Sequence, residues 1–136
     1  MDNNSSVLAA HPSSFHMRLS SIARLLGGYL YRYGSEIQLH EALAQVIGEA
    51  GYDFKREHVL DARNRADFWI EGIVVEVKVG GSLAQALRQV DRYIQLPQVH
   101  GVVLASTERW ALQELLARPT WQGKAFQMIR LGRQAL

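Results

Sequence analysis

The sequence predicts an α/β domain whose elements follow the order helix, helix, three strands, helix, strand, helix, strand. Early apolar residues recur at three- and four-residue steps, as in an amphipathic helix: Phe15, Leu19, Ile22, Leu26 and Leu30. From Tyr52 to Val79 the content of β-branched and aromatic residues rises, which is typical of strands. No internal repeat or linker divides the chain, so we expect a flexible arm over 1–14 and one domain over 15–136.

Composition excludes several classes of protein. The 136 residues suffice for one domain with a core, and the absence of cysteine rules out disulfides and thiolate metal sites. The five histidines are scattered without the spacing of a zinc site. No apolar run has the roughly 18 residues of a membrane span, and the N-terminus lacks a basic start, so we expect a cytoplasmic protein without membrane contact. The net charge of +2 is compatible with a polyanionic partner.

The helices are bounded by recognisable start and stop residues. Gly27-Gly28 should break or bend the first helix, and the second should run from Ser35 to about Ala50 and end at Gly51. Ser82, with Gln85 three residues later, predicts a capped helix over about 82–96. A further helix is expected near 109–117.

The strands are predicted from short apolar runs between turn residues. Three adjacent strands are expected at about 52–60, 65–70 and 73–79. Val102-Val103-Leu104 is typical of an interior strand, and a last strand is expected near 124–131.

The segment 65–79 predicts a hairpin with a specific register. If Glu71-Gly72 is its two-residue loop, Asp67 lies opposite Glu76 and Arg65 lies opposite Lys78. One face would then be apolar and belong to the core: Ala66, Phe68, Ile70, Ile73, Val75, Val77 and Val79. The other face would hold Arg65, Asp67, Trp69, Val74, Glu76 and Lys78.

The opposed carboxylates on that second face favour a metal site. Two carboxylates about 5 Å apart at Cβ repel each other unless a cation lies between them. Mg²⁺ prefers such hard oxygen ligands, and Lys78 points the same way as Glu76. The alternative is a half-exposed sheet whose polar face meets water, although surface sheets more often pair opposite charges.

Asp67, followed after the hairpin by Glu76-Val77-Lys78, resembles the PD-(D/E)xK nuclease superfamily. Ala66 stands where that motif has proline. The resemblance implies a restriction-endonuclease-like αβββαβ core with an α+β mixed sheet over 35–106. An extra N-terminal helix and a C-terminal helix-strand addition would flank this core.

Two further features fit this superfamily. Its members usually carry a glutamate on the helix before the strands, for which Glu36 at the edge of the buried stripe is preferred over Glu41. A first-turn acid that stabilises the helix dipole is an equal alternative for Glu36. Gln89 and Tyr93 resemble the Gln-x-x-x-Tyr motif of the repair-exonuclease branch and share one helix face.

The resemblance implies a Mg²⁺-dependent deoxyribonuclease. Asp67, Glu76 and the Val77 carbonyl would bind Mg²⁺, with Mn²⁺ able to substitute, and the catalytic set would be Glu36, Asp67, Glu76 and Lys78. The residues expected to bind the nucleic acid are Arg65, Arg88, Gln89, Arg92 and Tyr93. Two rivals stay open: an inactive nuclease fold that serves as a DNA-binding or assembly module, and an interaction module. The latter would form a homodimer through its first helix and C-terminal segment.

Overall fold

Two helices open the part of the chain that the structure describes. In this computed structural model, which describes residues 12–112 and 120–134, α1 spans Pro12–Gly27 and α2 spans Glu36–Glu49. The end of α1 at the glycine pair was predicted. The predicted arm lies mostly outside the described residues, and the helix begins three residues before Phe15. The predicted start of α2 is confirmed, because the Ser35 hydroxyl accepts a hydrogen bond from the Gln38 N–H.

Over residues 12–112 and 120–134, six strands form one mixed sheet and two further strands form a small parallel pair. The pair joins β1 (Leu30–Tyr31) to β8 (Gly132–Arg133). The mixed sheet contains β2 (Lys55–Val59), β3 (Arg65–Ile70), β4 (Ile73–Lys78), β5 (Gly101–Ser106), β6 (Thr120–Trp121) and β7 (Lys124–Arg130). Its spatial order is β2-β3-β4-β5-β7-β6. The strands β2, β3 and β4 are antiparallel, β4, β5 and β7 are parallel, and β6 runs antiparallel to β7.

The helix α3 (Leu83–Ile94) connects β4 to β5. The predicted capping box is present: Ser82 accepts from the Gln85 N–H at 3.2 Å, and the Gln85 side chain accepts from the Ser82 N–H at 3.3 Å. The helix expected near 109–117 appears as a short 3₁₀ helix, Arg109–Leu112, and the rest of that prediction lies outside the described residues. None of the helices within the described residues is long and apolar enough to cross a bilayer.

The β3–β4 hairpin has the predicted register over the three pairs nearest the turn, but the predicted pairs of Asp67 with Glu76 and of Arg65 with Lys78 are not formed. Ile70 pairs with Ile73 across a two-residue turn, in which Glu71 and Gly72 have φ angles of 46° and 96°. Two successive left-handed residues define the turn type that matches the twist of adjacent strands. Gly72 is also tightly packed, because a Cβ atom there would lie 3.0 Å from the His100 ring.

Helices cover both faces of the sheet, so the alternative of a half-exposed sheet whose polar face only meets water is wrong. On one face α1 and α2 pack against a large cluster that includes Phe68, Ile70, Ile73, Val75 and Val77. On the other face α3 packs against a second cluster with Ala66, Val74, Val102, Leu104 and Phe126. Ala66 therefore belongs with α3 and not with Phe68. The alternation of faces along β3 is interrupted at Asp67, beyond which no β3–β4 residue pairs are formed.

Candidate functional site

The β3–β4 ladder opens at the residues that the sequence singles out. Regular pairing ends at Phe68 and Val75. Beyond this point, the Val77 N–H donates to Asp67 Oδ2 at 2.8 Å, and the Asp67 N–H donates to Glu76 Oε1 at 3.4 Å. Side-chain oxygens thus take the place of backbone carbonyls in the ladder. The predicted neighbourhood of Asp67 and Glu76 is present, and both carboxylates are held by backbone donors.

Side chains from α3 hold Glu76 in the interior. Glu76 is only 4% exposed, and Gln89 Nε2 donates to its Oε2 at 2.8 Å. The Tyr93 hydroxyl lies 2.9 Å from Glu76 Oε1 and 2.8 Å from the Arg65 carbonyl, and it accepts from Gln89 Nε2 at 3.1 Å. A buried carboxylate requires such donors, because its desolvation is costly.

Burial and a nearby negative charge raise the pKa of both carboxylates; that charge is Asp67 for Glu76 and Glu57 for Asp67. Burial, and secondly the charge of Asp67, raise the pKa of Glu76 to about 7, against the opposing effects of the Tyr93 hydrogen bond and Lys78. Burial likewise raises the pKa of Asp67, although the Val77 N–H opposes this shift. Lys78 lies with its Nζ 3.7 Å from Glu76 Oε2, and its charge lowers the pKa of both acids. The site therefore has less positive charge than two ionised carboxylates require.

Two residues that sequence reasoning missed lie beside Asp67. His40 on α2, Glu57 on β2 and Asp67 each offer a ligand atom, and these three atoms lie within 4.8 Å of one another. Glu57 occupies the β2 position between the pairs Arg56↔Phe68 and His58↔Ala66, and thus opposite Asp67, with a left-handed φ of 50°. The pairing of β2 with β3 could have placed Glu57 there. No local pattern relates His40 to Asp67.

The two candidates for the helix acid have different surroundings. Glu36 is 60% exposed, lines a cleft beside Lys78, and lies with Oε2 3.8 Å from His40 Nε2. Glu41 is exposed and pairs with Arg56 of β2 at 3.1 Å. The α2 residue beside Asp67 is therefore His40, one turn after the preferred Glu36.

The residues predicted to contact nucleic acid separate into two groups. Arg65, Arg88 and Arg92 are exposed, and Arg65 pairs with Glu57 at 3.2 Å. Tyr93 has no exposed surface, so it cannot contact a nucleic acid in this conformation. The structure corrects its predicted role to one of holding Glu76. Gln89 is half-buried and acts on the same carboxylate.

Comparisons with protein-family models, with curated proteins and with solved structures find no match to this chain. The function is therefore argued from the geometry and chemistry of the site.

Proposed function

We propose that this chain is a metal-dependent deoxyribonuclease of the PD-(D/E)xK type, acting in the cytoplasm, with Asp67, Glu76 and Lys78 as its reactive centre. The single observation on which the proposal rests is the pair of carboxylates that meet where the β3–β4 ladder opens. Both have a raised pKa because of burial, and each also has a nearby negative charge. A bound cation would offset the repulsion between the two carboxylates and favour their ionised forms.

The donor set fits a hard divalent cation. Asp67 and Glu76 supply carboxylate oxygens, and the neighbouring Val77 carbonyl is the third oxygen of the proposed set. Bound Mg²⁺ or Mn²⁺ would lower the pKa of a coordinated water and offset charge that develops on the phosphate. Binding would also relieve the repulsion that raises the pKa of Glu76.

Other residues would orient the two carboxylates and act on the attacking water. The Val77 N–H orients Asp67, while Gln89 and Tyr93 orient Glu76, so both carboxylates are held before substrate binds. Lys78 would orient the attacking water and stabilise negative charge at the phosphate, because its amine already lies beside Glu76.

Exposed arginines would bind the phosphodiester backbone. Arg88 and Arg92 lie on α3 with Gln89 and Tyr93. Arg65 is the first residue of β3, the strand that carries Asp67. Each contact with a phosphate would release counterions and make binding weaken with salt. This surface gives affinity without sequence selectivity.

The proposal is tested by cleavage of a panel of plasmid, linear, single-stranded and four-way-junction DNA with Mg²⁺, Mn²⁺ or EDTA. Asp67→Ala and Glu76→Ala should lower cleavage at least roughly 100-fold, because metal ligands are lost. Glu71→Gln is the matched control, since that exposed carboxylate lies at the opposite end of the same hairpin. Absence of metal-dependent cleavage by the unaltered protein on every substrate would contradict the proposal and favour the binding-module alternative.

A further inference from the structure

A cavity of about 800 Å³ lies at the carboxyl ends of the parallel strands β4, β5 and β7. Its wall includes Val79 and Thr107, which directly follow β4 and β5, and Arg130, the last residue of β7. The segment after α1, the 3₁₀ helix and β8 form the rest of the wall of this strand-end cavity. Its volume is in the range of ligand pockets, about 300–1,000 Å³, and α/β proteins commonly bind ligands at this end of parallel strands.

The strand-end cavity adjoins the proposed nuclease centre. Val79 lines both this cavity and a cleft that Lys78 also lines. The Lys78 carbonyl accepts hydrogen bonds from the Ser106 hydroxyl at 2.8 Å and from the Thr107 N–H at 3.3 Å. These bonds fix the wall of the cavity to the strand that carries Lys78. A DNA strand that leaves the nuclease centre past Val79 would therefore enter the cavity.

Exposed apolar and aromatic side chains are concentrated around this cavity. Four of the seven large apolar side chains that are exposed within the described residues line it: Tyr29, Leu30, Val79 and Leu112. Single exposed apolar side chains are ordinary, whereas a contiguous group marks a binding surface. Tyr29 is 51% exposed, and its ring centroid lies 6.4 Å from that of the buried Tyr31. Tyr29 is thus an exposed ring on a fixed support, and nucleobases stack on rings of this kind.

The charge at the cavity favours a ligand that carries phosphate. Arg130 and Arg133 line it and are exposed, and neither forms an ion pair with a carboxylate of the described residues. The Arg133 guanidinium lies 4.5 Å from the centroid of the Tyr33 ring and donates to the Tyr33 carbonyl at 2.8 Å. Glu108 is the only acid among the described residues that line the cavity. Cationic groups beside exposed aromatic rings are the combination that binds single-stranded nucleic acid.

We propose that the strand-end cavity binds an unpaired nucleotide of a DNA strand, with the base on Tyr29 and the phosphates beside Arg130 and Arg133. A base inside a duplex is covered on both faces by its neighbours, so a single-stranded segment is needed to supply a base for stacking. The nuclease substrate would then be DNA with a single-stranded segment next to the cleaved bond. This assignment of the substrate rests on the proposed function, whereas the binding of single-stranded DNA does not.

The test measures fluorescence anisotropy of a labelled single-stranded thymidine oligomer and of a blunt duplex, both in EDTA so that no metal is bound. Tyr29→Ala should weaken single-strand binding about tenfold and leave duplex binding unchanged, because only stacking on the ring is lost. Tyr29→Phe keeps the ring and should retain the full affinity. Arg130→Gln should weaken single-strand binding and reduce the magnitude of the slope of log affinity against log salt concentration by about 0.7.

Arg18→Gln is the matched control for the loss of charge. Arg18 donates to the Glu71 carbonyl in the β3–β4 turn, at the opposite end of β4 from the cavity, so its variant should keep the single-strand affinity. Equal single-strand affinity in Tyr29→Ala and the unaltered protein, or no single-strand binding by the unaltered protein, would overturn the proposal. A dimer that Tyr29→Ala dissociates in sedimentation without a change in DNA affinity would also overturn it, because a second copy would then fill the cavity.

A cleavage assay separates this proposal from the proposed function. With Mn²⁺, the unaltered protein should cleave a duplex with a single-stranded tail faster than a blunt duplex, and Tyr29→Ala should remove this preference. Single-strand affinity that depends on Tyr29, without cleavage of any DNA, would uphold the cavity and refute the nuclease function. Metal-dependent cleavage with a single-strand affinity that does not depend on Tyr29 would refute the cavity and leave the nuclease function intact.

Discussion

Glu76 and Asp67 both lie where the β3–β4 pairing ends, but different groups surround the two carboxylates. Glu76 is held from the α3 side by neutral donors, the amide of Gln89 and the hydroxyl of Tyr93. Asp67 receives one backbone N–H, from Val77, and otherwise lies beside His40 and the negatively charged Glu57. The interior therefore satisfies Glu76 with hydrogen bonds, whereas no side chain among the described residues donates such a bond to the Asp67 carboxylate.

This difference bears on how the proposed metal site would combine a fixed ligand with one that responds to a cation. Hydrogen bonds from Gln89 and Tyr93 fix the position of Glu76 even when no ion is bound. The surroundings of Asp67 include further potential ligands, so it is the residue through which a cation is expected to act most strongly. Substitutions at Lys78, Glu76 and Tyr93 can challenge or refine this difference between the two carboxylates.

The largest effect is expected at Lys78, whose charge acts on both carboxylates. Lys78→Ala keeps the metal ligands but removes the amine proposed to act in the transition state. Cleavage should fall by roughly 100-fold or more, while DNA affinity measured in Ca²⁺ should fall only slightly. The slope of log affinity against log salt concentration should decrease in magnitude by about one unit at most. Proportional losses of binding and cleavage would show that Lys78 only anchors the DNA.

A second effect concerns the pH dependence of stability without metal. The folded-state pKa of Glu76 is about 7 and its ordinary value is 4.5, so the unfolded chain releases this proton first as pH rises. The free energy of unfolding should therefore be highest below pH 4.5 and decline up to about pH 7, by on the order of 3 kcal/mol. Urea unfolding in EDTA at several pH values measures this decline.

Glu76→Gln is the variant that isolates this contribution. It cannot ionise, so the decline should be much smaller, and the variant should exceed the unaltered protein in stability near pH 8. Glu71→Gln, at the exposed turn, should retain the full decline. Parallel pH profiles for Glu76→Gln and the unaltered protein would show that Glu76 is not the group whose ionisation opposes folding.

The smallest effect is expected from loss of the Tyr93 hydroxyl, which lies beside Glu76 Oε1. Tyr93→Phe removes one hydroxyl near Glu76 Oε1 and the Arg65 carbonyl while keeping the buried ring. Stability should fall by about 1 kcal/mol. Cleavage should fall about tenfold, as expected when a residue that orients a metal ligand is lost. Unchanged stability and unchanged cleavage in Tyr93→Phe would show that the hydroxyl does not support Glu76.

Local sequence determined the elements that depend on short-range geometry. The hairpin register follows from the two-residue turn at Glu71 and Gly72, and this turn brings Asp67 near Glu76 although the ladder opens before the two residues pair. The capping box of Ser82 and Gln85 likewise depends on atoms three residues apart. In both cases the interacting groups are too close along the chain for the rest of the fold to change their relation.

Tertiary structure alone decided what surrounds the two carboxylates. The approach of His40 to Asp67 depends on how α2 packs on the sheet, and the burial of Tyr93 depends on how α3 covers the other face. Ala66 joined the α3 side because the ladder opens at Asp67, which a regular alternation along β3 cannot predict. Residue spacing specifies which side chains a single element presents. Contacts between elements distant in sequence depend on the packing of whole helices against the sheet.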